Sequence, residues 1–99
     1  MDLRIQTVHF DADKKLIEFI EKKLTKIEKM WDAIQAFEVT LKLDKAVPDA
    51  NKVVDIKIIA PGGDVFSSKQ GKTFEEAVDS LVDVLQRQVI KMKEKKKDI

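Results

Sequence analysis

Residues 37–68, FEVTLKLDKAVPDANKVVDIKIIAPGGDVFSS, decide the fold. Phe37, Val39, Leu41 and Leu43 alternate with Glu38, Thr40 and Lys42, the period of two expected of a strand with one face in the core and one in water. Asp44 to Asn51, with Pro48, reads as a loop. Val54, Ile56, Ile58 and Ala60 then alternate with Val53, Asp55, Lys57 and Ile59, and Pro61-Gly62-Gly63-Asp64 turns the chain into a short strand over Val65 to Ser68. Three strands joined in this way predict an antiparallel meander.

Upstream of the meander, Leu3, Ile5 and Thr7 alternate with Arg4, Gln6 and Val8, a further strand ending near Phe10. Asp13 is placed to cap a helix running from about Lys14 to Met30, in which Leu16, Ile20, Leu24, Ile27 and Trp31 stack on one face. Downstream, Thr73 with Glu76 three residues later forms a capping box. The stripe Phe74, Ala77, Val78, Leu81, Leu85, Val89 and Met92 then carries a second helix to about Lys95. The order is β-α-β-β-β-α. An antiparallel four-stranded sheet with one apolar face, and two helices with one apolar stripe each, predict an α+β two-layer sandwich with both helices on that face.

A chain of 99 residues is one domain in size, read here as spanning 1–99, and its 43% apolar share is enough for a core. The 37% charged share exceeds the usual fraction of about 25%, yet 19 Lys+Arg against 18 Asp+Glu leave a net charge of +1. The position of the charges therefore matters more than their sum. With no Cys, a disulfide framework, a thiolate metal cluster and a cysteine nucleophile are excluded. Asp2 and Arg4 interrupt any signal-like opening, and no apolar run approaches the roughly 20 residues of a membrane span. A cytoplasmic protein with no membrane partner is expected.

Candidate chemistry is sparse. Gly71-Lys72-Thr73 stands where a phosphate-binding loop would end, but the glycine needed five positions earlier is Phe66, so helix capping is the better reading. Gly62-Gly63 between two strands reads as a hairpin turn rather than an anion nest. His9, the single histidine, has Asp11 and Asp13 nearby but too few donors for a metal. Carboxylates scattered among lysines on solvent faces read as ion-pair partners. We expect no catalytic set, metal, cofactor or small-molecule substrate.

The helices are more informative. At about 100° per residue, Lys15, Lys22, Lys26 and Lys29 fall in a narrow wedge opposite the apolar stripe, with Lys23 on its flank. In helix two, Glu75, Glu76, Asp79 and Asp83 occupy the first half, whereas Arg87, Lys91 and Lys95 step by four along the second. From residue 87 to 97, Arg87, Lys91, Lys93, Lys95, Lys96 and Lys97 stand against Glu94 alone. Such a stripe is often a solvated face that complements the helix dipole. Two basic rows on one side of a sheet can also meet the closely spaced charges of a nucleic-acid backbone. There is no Tyr, one Trp, and five Phe mostly in core phase, which leaves little for bases to stack on. Recognition of folded RNA by shape and phosphate is therefore favoured over sequence reading. A protein-interaction adaptor using a strand edge or the helix pair is the alternative.

The segment Leu16-Ile17-Glu18-Phe19-Ile20-Glu21-Lys22-Lys23-Leu24-Thr25-Lys26-Ile27-Glu28, the strand Val39 to Lys45, and the run Ala77 to Asp83 continuing through Arg87-Gln88 to Lys91-Met92-Lys93-Glu94-Lys95 carry a resemblance. In this order they resemble the ribosome hibernation-promoting factor and ribosome-associated inhibitor family, over nearly the whole chain. A monomer when free is expected, and the resemblance implies a protein that enters the decoding region of the small ribosomal subunit in resting or stressed cells. There it would overlap the messenger and transfer RNA positions. Ribosomal RNA would be gripped by Lys23 and Lys26 on helix one and by Arg87, Lys91, Lys93 and Lys95 on helix two, joined by Lys22 and Lys29 on helical phase alone. Where the family carries Tyr in the first turn of helix two this chain has Glu75, and Phe74 is expected to supply the packing. The chain looks like the short form, without a second, dimerising domain. An older description of the family, as modulators of sigma factors, matches the adaptor alternative.

Overall fold

The structure, a computed structural model, describes residues 2–46 and 48–97, with side chains described as far as Glu94. In chain order the elements are β1 (Asp2–Val8), α1 (Lys14–Glu28), β2 (Ala36–Leu43), β3 (Lys52–Ile59), β4 (Val65–Gly71) and α2 (Phe74–Lys97). The sheet order is β1-β2-β3-β4. β2, β3 and β4 form the antiparallel meander read from the sequence. β1, however, runs parallel to β2, so the sheet is mixed rather than antiparallel. The reason is connectivity: α1 lies between the two strands as a crossover, returning the chain to the end of the sheet where β1 began.

In register, Phe37, Ile58 and Val65 form one inward row, and Ile5, Val39, Ile56 and Ser67 another. Both helices cover this face. Leu16, Ile20, Leu24 and Ile27 from α1, and Ala77, Val78, Leu81, Leu85 and Val89 from α2, join the strand residues in one buried cluster. Burial at about 25 cal/mol per Å² of apolar surface is what stabilises these amphipathic segments as helices.

The helix ends show their causes. Asp13 is extended, and its Oδ1 accepts the Leu16 N–H at 2.8 Å. α1 stops at Glu28, two residues before the expected Met30: the Met30 N–H bonds to the Ile27 carbonyl at 3.0 Å, a tightened turn that sends Trp31 into the core. The Thr73 hydroxyl accepts the Glu76 N–H at 3.0 Å at the start of α2. Phe74 is buried there and stacks on Phe10 with ring centroids 4.7 Å apart. β4 runs three residues past Ser68 because its pairing with β3 continues to Lys52 opposite Gly71. Hydrophobic alternation is lost over that extension, where Lys69 and Gln70 are exposed.

The outer sheet face carries Val53 and the exposed Phe66 among mostly polar side chains, and several of its charges are paired. Arg4 bonds Asp2 at 2.9 Å and Glu38 at 3.0 Å. These carboxylates, Asp2 foremost, push its guanidinium pKa above an already high ordinary value. Lys42 meets Asp55 at 2.9 Å and Lys57 meets Asp64 at 3.6 Å.

Candidate nucleic-acid interface

Because α1 and α2 lie side by side on one face, the side chains opposite their buried stripes share the helical side of the molecule. Lys22 and Lys26 project from α1 into solvent, Lys29 does so from its C-cap, and Arg87, Lys91 and Lys93 do so from α2. The side chains of Lys95, Lys96 and Lys97 lie outside the described residues.

Two of these cations are held by the fold. Lys23 is only 27% exposed; its ammonium lies 2.9 Å from Asp79 across the helix pair and 5.3 Å from the centre of the Phe19 ring. Lys93 donates to the Met30 carbonyl at 3.0 Å, reaching from α2 to the turn after α1. That carbonyl follows the end of a helix, where a cation is electrostatically favoured. Both side chains therefore join the helices as well as charging them.

The basic positions divide between two grooves. Lys29 and Lys93 line a depression between the helices with Met30, Val89, Ile90 and Glu94. Lys91 lies on the other flank of α2, in a groove shared with Asp64, Val65, Phe66, Gln88, Met92 and Glu94. Arg87, one helical turn before Lys91, projects from the same side of α2. The structure thus brings Lys29 and Lys93 together and turns Arg87 and Lys91 away from them.

Among the described residues no group of three His, Cys, Asp or Glu could hold a metal ion. His9, in left-handed backbone at φ 70°, borders a shallow depression with Leu43, Asp44, Lys45 and Ala46. Gly62 and Gly63, at φ 87° and 142°, form the turn between β3 and β4, where the Gly63 N–H meets the Ala60 carbonyl at 3.3 Å. What this surface can do chemically is bind an extended anion reversibly. Sequence reasoning passed over Phe66, 61% exposed on β4; its outward phase between Val65 and Ser67 was the available signal.

Comparison with known proteins agrees with this architecture. Residues 3–97 match the family described as Sigma 54 modulation protein / S30EA ribosomal protein. A ribosome hibernation promoting factor from Escherichia coli is 31% identical over 97 residues, which is 98% of each chain. A ribosomal subunit interface protein from Coxiella burnetii superposes with a TM-score of 0.84 at 26% identity, covering 94% of this chain and 98% of that one. The N-terminal domain of Protein Y from Thermus thermophilus has the same fold, with a TM-score of 0.79 at 22% identity over 93% of this chain and 99% of that one. A match running from β1 almost to the end of α2, on the same two-helix, four-strand architecture, shows that the chain belongs to the Sigma 54 modulation protein / S30EA ribosomal protein family and is a relative of the ribosome hibernation promoting factors.

Proposed function

We propose that this protein is a cytoplasmic ribosome hibernation factor that binds ribosomal RNA of the small subunit in the decoding region. Its bulk occludes the messenger and transfer RNA positions and holds the ribosome idle in resting or stressed cells. The observation that carries this reading is the contrast between the two faces. Lys22, Lys26, Lys29, Arg87, Lys91 and Lys93 are exposed on the helical side, whereas on the sheet side Arg4, Lys42 and Lys57 are paired with carboxylates. Phosphates that meet the helical side release their counterions, an affinity term independent of base sequence.

Lys23 belongs to this surface through an exchange: its ammonium leaves Asp79 for a phosphate as the RNA arrives. Lys95 is assigned to the same surface on the family resemblance, its side chain lying outside the described residues. The action is occupancy, with no covalent step, by a monomer that needs no cofactor. The names of the relatives support a ribosomal partner, and no helix among the described residues is long and apolar enough to cross a membrane.

Co-sedimentation with small subunits, read beside translation, tests the proposal. Inhibition should track the fraction of ribosomes occupied and reverse when the protein is washed off with salt. Continued inactivation by substoichiometric protein, with cut or modified RNA, would overturn it. The adaptor alternative, acting through the β1 or β4 edge, predicts binding that is nearly insensitive to salt.

A further inference from the structure

The groove between β4 and the C-terminal half of α2 has features that a phosphate-binding surface does not require. Its volume is about 610 Å³, ample for a planar ring. Phe66 lines it and is 61% exposed, one of two large apolar side chains so exposed among the described residues. Leaving an aromatic ring in water forgoes the burial that placed Phe37 and Phe74 in the core.

At the same groove, Gln88 Oε1 is buried and has no hydrogen-bond partner. Buried polar atoms are nearly always partnered, so an orphaned acceptor on a residue that lines a groove marks a place for a donor. Lys91 stands beside it, while Asp64 and Glu94 add carboxylate acceptors. Asp64 is 3.6 Å from Lys57 and so partly compensated.

We propose that this groove holds an unpaired RNA base carrying an exocyclic amino group. The base stacks on Phe66 and donates its amino hydrogens to Gln88 Oε1, while Lys91 takes the adjoining phosphate. The inference rests on the RNA-binding reading and adds to it one point of base recognition on a surface otherwise indifferent to sequence. Adenine, cytosine and guanine present amino donors to this acceptor-rich wall. Uracil presents carbonyl oxygens on both sides of its single N–H, and these would face the carboxylates unfavourably.

The test uses the whole chain, titrated with oligo(A), oligo(C) and oligo(U) RNA pentanucleotides by fluorescence anisotropy, with NMR to locate the contact. Oligo(A) and oligo(C) should bind about fivefold or more tightly than oligo(U), the lower end of what satisfying one buried acceptor contributes, since stacking on Phe66 is common to all three. Shifts should centre on residues 64–66 and 88–94. Phe66→Ala, at an exposed position that leaves the core intact, should weaken oligo(A) by a similar factor. Gln88→Leu should bring oligo(A) down to the level of oligo(U). Equal binding of the oligonucleotides, unmoved by Phe66→Ala, would overturn the proposal, as would failure to bind any of them. Self-association abolished by Phe66→Ala without a change in RNA binding would overturn it in favour of a second copy at the β4 edge. Small-subunit binding by Lys22→Ala and Lys26→Ala variants, run in parallel, tests the underlying reading separately: their loss of affinity beside a failed groove leaves RNA binding standing without base recognition.

Discussion

Lys26 and Leu24, two positions apart on α1, separate what folds the protein from what binds. Leu24 is fully buried and Lys26 exposed, as their helical phase requires. Leu24→Ala, like Leu81→Ala, should destabilise the domain by about 2–5 kcal/mol through lost burial and the cavity left behind. Lys26→Glu should leave the melting temperature nearly unchanged while weakening small-subunit binding. Thermal melts of the three variants check the assignment, and equal destabilisation by Lys26→Glu would contradict it. Lys23 is the position whose phase was legible but whose partner was not: Asp79 lies 56 positions away and meets it only through helix packing. Because such a half-exposed pair contributes at most about 1 kcal/mol, Asp79→Asn should barely change stability. With its competitor gone, Lys23 should bind phosphate more readily, so small-subunit affinity should rise. A fall in affinity at unchanged stability would show that Lys23 needs Asp79 to hold it in place.

Helix starts were more legible than helix ends and strand ends. Asp13 and Thr73 were readable as caps because the contact is local, spanning three residues in each case. Replacing either with Ala should cost about 0.5–2 kcal/mol, measurable by urea denaturation. The three added residues of β4 gave no such signal, since Lys69 and Gln70 are exposed and their place in the strand depends on pairing with β3. Gly71 ends that strand against the first turn of α2. A Cβ there would lie 3.1 Å from both the Ala77 nitrogen and the Thr73 carbonyl oxygen, backbone atoms with little room to yield. Gly71→Ala should therefore destabilise the domain by about 1–3 kcal/mol, and an unchanged denaturation midpoint would show that β4 and α2 can part without cost.

Across the whole molecule, a near-zero net charge conceals a cationic helical side and a paired sheet side. If about five of the helical cations meet phosphates, the logarithm of the small-subunit binding constant should fall with the logarithm of salt at a slope of magnitude roughly 4. Arg87→Ala or Lys91→Ala should each flatten the slope by about 0.7–0.9, and adding Lys26→Ala should flatten it further. Equilibrium binding at several salt concentrations measures this, and an unchanged slope in the folded double variants would refute a shared surface. Element order, the buried stripes, the caps and the helical phase of Lys22, Lys26, Arg87 and Lys91 are legible in one dimension, because these follow from periodicities and contacts within a few residues. That β1 runs parallel to β2, that Lys23 meets Asp79 and Lys93 the Met30 carbonyl, and that Phe66 and Gln88 line one groove emerge in three dimensions alone. Each of these depends on how distant segments pack against one another, and a one-dimensional pattern carries no term for the distance between them.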